Sequence, residues 1–362
     1  MQSGFYQKID TASMAKEKKK SAPHDLQQTN GVFTLCGIVS GTDKENFYKE
    51  TKTKNDNSWD KTVKKFTERE IMNTEKERIT IERLKTFEPE TEPYYLCYSG
   101  GKDSDVIRIL AQLAGVRHEI HHSLTSVDAP ETVRYVKSIP NVIIDVPHDK
   151  DGNRISMWSL IVQKGLPPTR LMRYCCAELK ETGGKGRMKI TGVRAAESVK
   201  RAENAGMVKI IGKPKTVQKM AENFGVDYEI SKAGGLVMNM DNDENRRLVE
   251  HCYRTTSTMI NPILDWTDAD VWEFLKHYGC QANPLYQCGK KRIGCIGCPM
   301  QSGKKQIEEF DKYPKYKNLY IRAFDRMLNA HPDKDYHYSW KTGTDVFDWW
   351  TGFDSNQLMF DI

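Results

Sequence analysis

The sequence has no run of about 18 apolar residues, the length a helix needs to cross a bilayer, so a membrane protein is not expected. Residues 1–30 contain no apolar h-region, so no secretory leader is expected either. There is no G-x-x-x-x-G-K-[ST] motif, which disfavours a P-loop NTPase. Only one C-x-x-C is present, whereas zinc ribbons usually use two. No internal repeat is found. Charge of one sign is also lacking: 55 Lys and Arg face 49 Asp and Glu, a net +6 spread along the chain. That balance admits an anionic ligand without requiring nucleic acid. Hydrophobic residues make up 38%, low for a globular chain but above the disordered regime. The 9 cysteines, without an export signal, read as thiols or metal ligands in a reducing, cytoplasmic setting.

The length of 362 residues allows about two domains, or one large domain with extensions. Residues 1–60 form a polar extension, expected to be partly flexible. Within it the run Lys16-Glu17-Lys18-Lys19-Lys20 reads as a solvated tail, with a nucleic-acid arm as the alternative. Residues 61–87 carry apolar positions at near-helical spacing, and Glu88-Pro89 ends them. Residues 94–98 are strand-like and residues 105–114 an amphipathic helix. Strands then alternate with helices: 118–124, 130–138, 142–146, 156–164 and 188–193. This βαβα order predicts an α/β fold, doubly wound, with a mostly parallel sheet and helical N- and C-terminal extensions. Residues 202–247 lose the pattern and read as an insertion or mobile hairpin within a 61–300 domain. Residues 267–278 form a helix with Thr267 as N-cap and Asp268 and Asp270 in its first turn. Residues 301–362 are helical and aromatic, with Trp340, Trp349 and Trp350 expected to pack.

Between the first strand and its helix lies Ser99-Gly100-Gly101-Lys102-Asp103-Ser104. Adjacent glycines let the backbone approach an anion, and successive N–H groups with the positive helix end make a nest for phosphate oxygens. Ser99 and Ser104 can donate hydroxyl bonds and Lys102 adds a charge. Asp103 sits against phosphate only through a bridging cation, which implies Mg²⁺. The hexapeptide resembles the pyrophosphate loop of the adenine-nucleotide α-hydrolases. Several further segments resemble one branch of that group, the phosphoadenylyl-sulfate reductase family. Residues 122–132 (HSLTSVDAPET) are similar to its D-x-x-PET segment and include Asp128. Residues 173–180 (RYCCAELK) resemble R-x-CC-x-x-x-K and include Lys180. Residues 192–201 resemble G-x-R-x-x-x-S-x-x-R, with Arg194 and Arg201. Residues 261–272 (NPILDWTDADVW) match P-L-x-D-W-T-x-x-D-V-W, and residues 283–286 with 293–299 match NPLY and IGC-x-x-C. Phage- and bacterium-borne members share the CCAELK and GCIGCP wording.

The resemblance covers about residues 94–300 and implies an enzyme that binds ATP or an adenylyl sulfate. Ser99, Gly100, Gly101, Lys102, Asp103, Ser104, Asp128, Lys180 and Arg194 would hold the nucleotide. Lys102, Asp103, Arg194 and Arg201 would carry the chemistry. Cys175-Cys176 with Cys295 and Cys298 supply four thiolates, which suit a [4Fe–4S] cluster first and a tetrahedral zinc second. A redox dithiol at Cys295 and Cys298 is a third reading. Cys288 or Cys252 stands as a substitute ligand, whereas Cys97 and Cys280 read as buried thiols. The chain departs from the family at its C-terminal end. Family reductases carry a nucleophilic cysteine in an E-C-G-[LI]-H tail, whereas this sequence ends FDSNQLMFDI with no cysteine after Cys298. Two chemistries follow from the resemblance: reduction of adenylyl sulfate, or ATP-dependent sulfur transfer as in the DNA phosphorothioation enzyme. A sulfur donor or thiol-reductant protein would be the partner, with nucleic acid a further candidate. A nucleotide sensor with a structural metal is the non-enzymatic alternative.

Overall fold

The computed structural model describes residues 74–352 apart from 205, 213, 233, 254–255 and 336–338, and leaves out the side chains of Lys200, Arg201, Asn204 and Pro214. Every described residue belongs to one compact unit. The polar extension, the start of the 61–87 helix and the end of the C-terminal segment lie outside the described residues.

Helix α1 (Glu75–Thr86) starts at Thr74, whose hydroxyl accepts the Glu77 N–H, and it buries Ile81 and Leu84. Then come β1 (Tyr94–Cys97), α2 (Lys102–Ala114), β2 (His118–Ser123), α3 (Pro130–Ser138) and β3 (Val142–Asp145). Next are α4 (Met157–Lys164), α5 (Tyr174–Leu179), β4 (Lys189–Ile190) and α6 (Val199–Asn204). The chain continues through β5 (Val208–Ile211), α7 (Pro214–Asn223), β6 (Glu229–Ile230), β7 (Leu236–Met238) and α8 (Asp243–Cys252). It ends with β8 (Ser257–Ile260), α9 (Asp268–His277), α10 (Gly303–Lys312), α11 (Pro314–Ala330) and α12 (Gly343–Thr351). Among the described residues no helix is long and apolar enough to cross a membrane.

The strands form one sheet in the order β3-β2-β1-β4-β8-β5-β7-β6. The first five are parallel. This is the α/β, mostly parallel architecture expected from the strand–helix alternation. Residues 202–247, read as an insertion or a mobile hairpin, contribute β5, β7 and β6, which extend the same sheet in antiparallel fashion beyond β8. Strands this short, punctuated by glycine and Asn/Asp turns, leave no readable period.

Two cores result. One joins Tyr94, Leu96, Ile120, Ile190 and Ile260 of the sheet to Leu84, Leu110, Leu248 and Phe274 of the helices. The other gathers Val127 and Ala129 after β2, Leu160 and Ile161 of α4, Cys175 of α5, and Ile296. It also takes Phe310, Tyr320, Phe324, Phe347 and Trp350 from the last three helices. The C-terminal helices therefore wall the cysteine region. Trp340 and Trp350 are buried, as packing residues should be, and the Trp350 indole N–H donates to the Pro168 carbonyl at 2.7 Å.

One acid lies inside the first core. Asp105, in the first turn of α2, is fully buried. It accepts the Tyr98 hydroxyl at 2.6 Å and the Tyr135 hydroxyl at 2.9 Å, and Arg108 lies 4.0 Å away. These bonds tie the end of β1 and α3 to α2, on either side of the glycine loop. Burial pushes its carboxyl up from 3.8 to about 6.

Two outcomes follow from this packing. Trp350→Ala should cost about 3–5 kcal/mol in denaturant unfolding, the range for emptying a large buried aromatic site. For Asp105, the raised folded pKa means that its stabilising contribution is complete below about pH 4 and disappears as the pH climbs through about 6. Against Asp105→Asn, the wild type should lose up to about 3 kcal/mol of relative stability across that window. A flat difference between the two proteins from pH 4 to 6.5 would contradict this.

Candidate nucleotide and thiol site

The glycine loop turns between β1 and the N-terminus of α2. Gly100 has φ +73°, and a Cβ there would lie 2.8 Å from Val136 Cγ2. A Cβ on Gly101 would stand 3.2 Å from the Tyr286 hydroxyl. Both positions therefore need the bare backbone. Ser104 Oγ donates to the Gly101 carbonyl at 2.7 Å and accepts its N–H at 3.1 Å, while Ser99 Oγ lies 3.3 Å from Ser104 Oγ. Asn283, fully buried, donates to the Gly100 carbonyl at 3.0 Å and to Thr132 at 3.2 Å. Tyr286 accepts the Lys102 N–H at 2.9 Å. Burial keeps the Tyr286 phenol high, so it remains a neutral hydroxyl.

Arg194 stands over this loop just beyond β4, and 1% of its surface is exposed. Its Nε donates to Asp103 Oδ1 at 2.6 Å and its Nη1 to the Trp266 carbonyl at 3.2 Å, while Nη2 donates to Asp268. Lys102 Nζ lies 3.3 Å from Asp103 and 3.4 Å from Asp268. The approach is close: a Cβ on Gly192 would sit 3.0 Å from the Asp103 carbonyl carbon. The Arg194 hydrogen bond holds the Asp268 carboxyl below the usual carboxylate range. A cavity of about 800 Å³ opens beside Lys102 and Asp268, with Trp272 and Tyr286 on its wall. Arg194, Lys102 and Asp103 thus meet, as the sequence suggested. Asp103 faces two cations of the protein here, Arg194 and Lys102. The side chain of Arg201 lies outside the described residues.

Asp128 and Lys180, expected to hold the nucleotide, have their protein partners around the C-x-x-C loop. The Asp128 carboxylate accepts the Thr125 N–H at 2.8 Å, and its backbone bridges to Cys295. Ile296 N–H donates to the Val127 carbonyl at 2.8 Å, so the C-x-x-C loop is stitched to the end of β2. The charge of Cys295 raises the Lys180 pKa, burial opposes this, and Asp128 adds to the rise. Lys180 is therefore a partner of the thiols.

Cys175, Cys176, Cys295 and Cys298 lie within electrostatic reach of one another. The hydrogen bond from Cys175 lowers Cys176 to about 5, helped by Arg173 Nη2 at 3.3 Å from its sulfur. Cys175 moves up in return, and burial raises Cys295. Thr125 Oγ1 lies 3.7 Å from Cys295 Sγ. Among the described residues no three His, Cys, Asp or Glu side chains take up the ligand shell of a metal ion. Cys288 is exposed. Cys252 is no substitute: it lies in the sheet core with its thiol 3.7 Å from Met220 Sδ. Cys97 and Cys280 are half-buried, and burial pushes their thiols to about 11 and about 12.

Sequence reasoning missed Asp268, Asn283 and Tyr286 as site residues. Asp268 had a signal, but its place in a helix first turn was read as dipole compensation. Asn283 and Tyr286 lay in the NPLY motif, which carried no assigned role.

The phosphoadenosine phosphosulfate reductase domain matches residues 93–301. An uncharacterized 37.8 kDa protein of Escherichia phage 186 is 26% identical over 176 residues, 49% of this chain and 42% of that protein. An uncharacterized protein of Methanocaldococcus jannaschii is 25% identical over 238 residues, 64% of this chain and 47% of that protein. Adenosine 5'-phosphosulfate reductase of Burkholderia cepacia is 50% identical over a short stretch of 38 residues, 10% of this chain and 15% of that protein. The chain thus spans less than half the length of these relatives. With the match covering more than half of its residues, the chain belongs to the phosphoadenosine phosphosulfate reductase domain family.

Proposed function

We propose that the protein is an enzyme that binds an adenine nucleotide by its sulfate- or phosphate-bearing end and acts on adenylyl sulfate. The observation that carries this reading is the meeting of Arg194 and Lys102, both buried, at the mouth of the glycine loop. In an open parallel sheet ligands sit beyond the carboxyl ends of the strands, and the segments after β1, β4 and β8 converge there. Gly100 and Gly101 leave the backbone bare for an anion. Lys102 neutralises it, and Arg194 adds a second positive charge with its Nη2 donor facing the mouth. Ser99 and Ser104 can add hydroxyl bonds. Orientation and charge neutralisation would then be the protein's main contributions.

A second reading, cleavage of ATP with sulfur transfer, is favoured by the two carboxylates at the same mouth. Asp103 and Asp268 are the residues that would hold a Mg²⁺ arriving with the nucleotide, and the ion would neutralise phosphate charge. Four thiols beside the cations Arg173 and Lys180 suit the donor set and negative charge of a [4Fe–4S] cluster, held by Cys175, Cys176, Cys295 and Cys298. Such a cluster would supply redox or electrostatic tuning of the substrate's anionic end.

Anaerobic protein given adenylyl sulfate and a dithiol should release sulfite. Release of AMP and pyrophosphate from ATP would select the second reading, and binding without any turnover would make the protein a sensor. Lys102→Ala should abolish nucleotide binding in equilibrium titration. Unchanged binding would remove the loop from the site. Elemental analysis should find about four iron and four sulfide per chain. Cys295→Ser should lose them, and a full complement in that variant would show that the ligands were wrongly assigned.

A further inference from the structure

We infer that Asp268 is an internal counter-anion, seated where the nucleotide's anionic end binds and displaced when it does. This rests on the assignment of the glycine loop as the anion site. The two cations of the loop are already spoken for. Arg194 Nη2 donates to Asp268, and Lys102 Nζ lies 3.4 Å from the same carboxylate oxygen. One oxygen thus bridges both cations, as a phosphate or sulfate oxygen would.

The burial of the three partners is unequal. The side chains of Arg194 and Lys102 are 1% and 8% exposed, but that of Asp268 is 72% exposed. The cations are fixed in place, whereas the carboxylate can leave into water with little loss of solvation. The cavity beside it gives it room. Its departure would not release Arg194, which keeps Asp103 on Nε and the Trp266 carbonyl on Nη1.

Asp268 makes no cap bond at the start of its helix. Thr267 is the N-cap of α9, and Asp270 completes the capping box. The residue lies at the first helical position, one of the unspecified positions in the P-L-x-D-W-T-x-x-D pattern. With Asp103 and Asp268 paired to Lys102 and Arg194, the cradle is electrically neutral. An incoming anion gains the full charge of the cradle only once Asp268 has gone. Asp268 is therefore a positioning residue that sets how strongly charged a ligand must be to enter.

The test is calorimetric titration with inorganic pyrophosphate, without divalent cations, on the full chain. Asp268→Asn keeps the size and the helix start but removes the charge. It should bind pyrophosphate at least about tenfold tighter than the wild type, the equivalent of one charge-assisted hydrogen bond. The advantage should shrink as salt rises from 0.1 M toward 1 M and the Debye length falls from about 10 Å to about 3 Å. Asp268→Ser, which also removes the amide oxygen, should bind at least as tightly as the Asn variant. Equal or weaker binding by both variants, with Lys102→Ala still abolishing it, would overturn the inference and leave the loop assignment standing. Absence of pyrophosphate binding in the wild type and both variants would overturn both.

Discussion

A guanidinium with 1% of its surface exposed must be paired where it lies, because a lone buried charge is too costly to keep. Arg194 meets that constraint with three partners from two places: Asp103 at the start of α2, then Asp268 and the Trp266 carbonyl at the start of α9. The result is a junction of β4, α2 and α9 over the glycine loop. Gly192 has no side chain because the chain must pass this close to Asp103. Asn283 and Tyr286 complete the same junction from the next segment, so residues far apart in the chain share one small volume.

What the sequence made legible was the part governed by local rules. The α3 helix, opened by Pro130 at its first position, and the α4 helix, capped by Ser156, end where the pattern said they would. The glycine loop stood out because its chemistry is confined to six adjacent residues. What stayed hidden depended on pairing across long distances. Lys180 was legible as a cation, but not that Cys295 and Asp128 would be its partners in the fold. Cys252 looked interchangeable with the other cysteines until it lay in the other core. The antiparallel strands β5, β6 and β7 were invisible because each is held by its neighbours and not by its own periodicity.

The two cores divide the labour. The sheet core carries the glycine loop, and the C-terminal helices enclose the thiols. Within the second core, the Asp128 to Cys295 bridge and the Ile296 to Val127 bond tie the C-x-x-C loop to the segment after β2, and the Tyr316 hydroxyl donates to the Asp128 carbonyl at 3.0 Å. The thiols are thus anchored to the segment that follows β2, the strand next to β1.

The strand order carries a consequence for how the protein is made. Arg194 follows β4 and Asp268 follows β8, and these two strands are neighbours although the whole β5–α8 segment lies between them in the chain. Closing so long a loop is slow and belongs to the later, non-local part of folding. The charge cage therefore cannot exist in a half-folded chain emerging from the ribosome. Only the finished sheet brings Lys102, Asp103, Arg194 and Asp268 together.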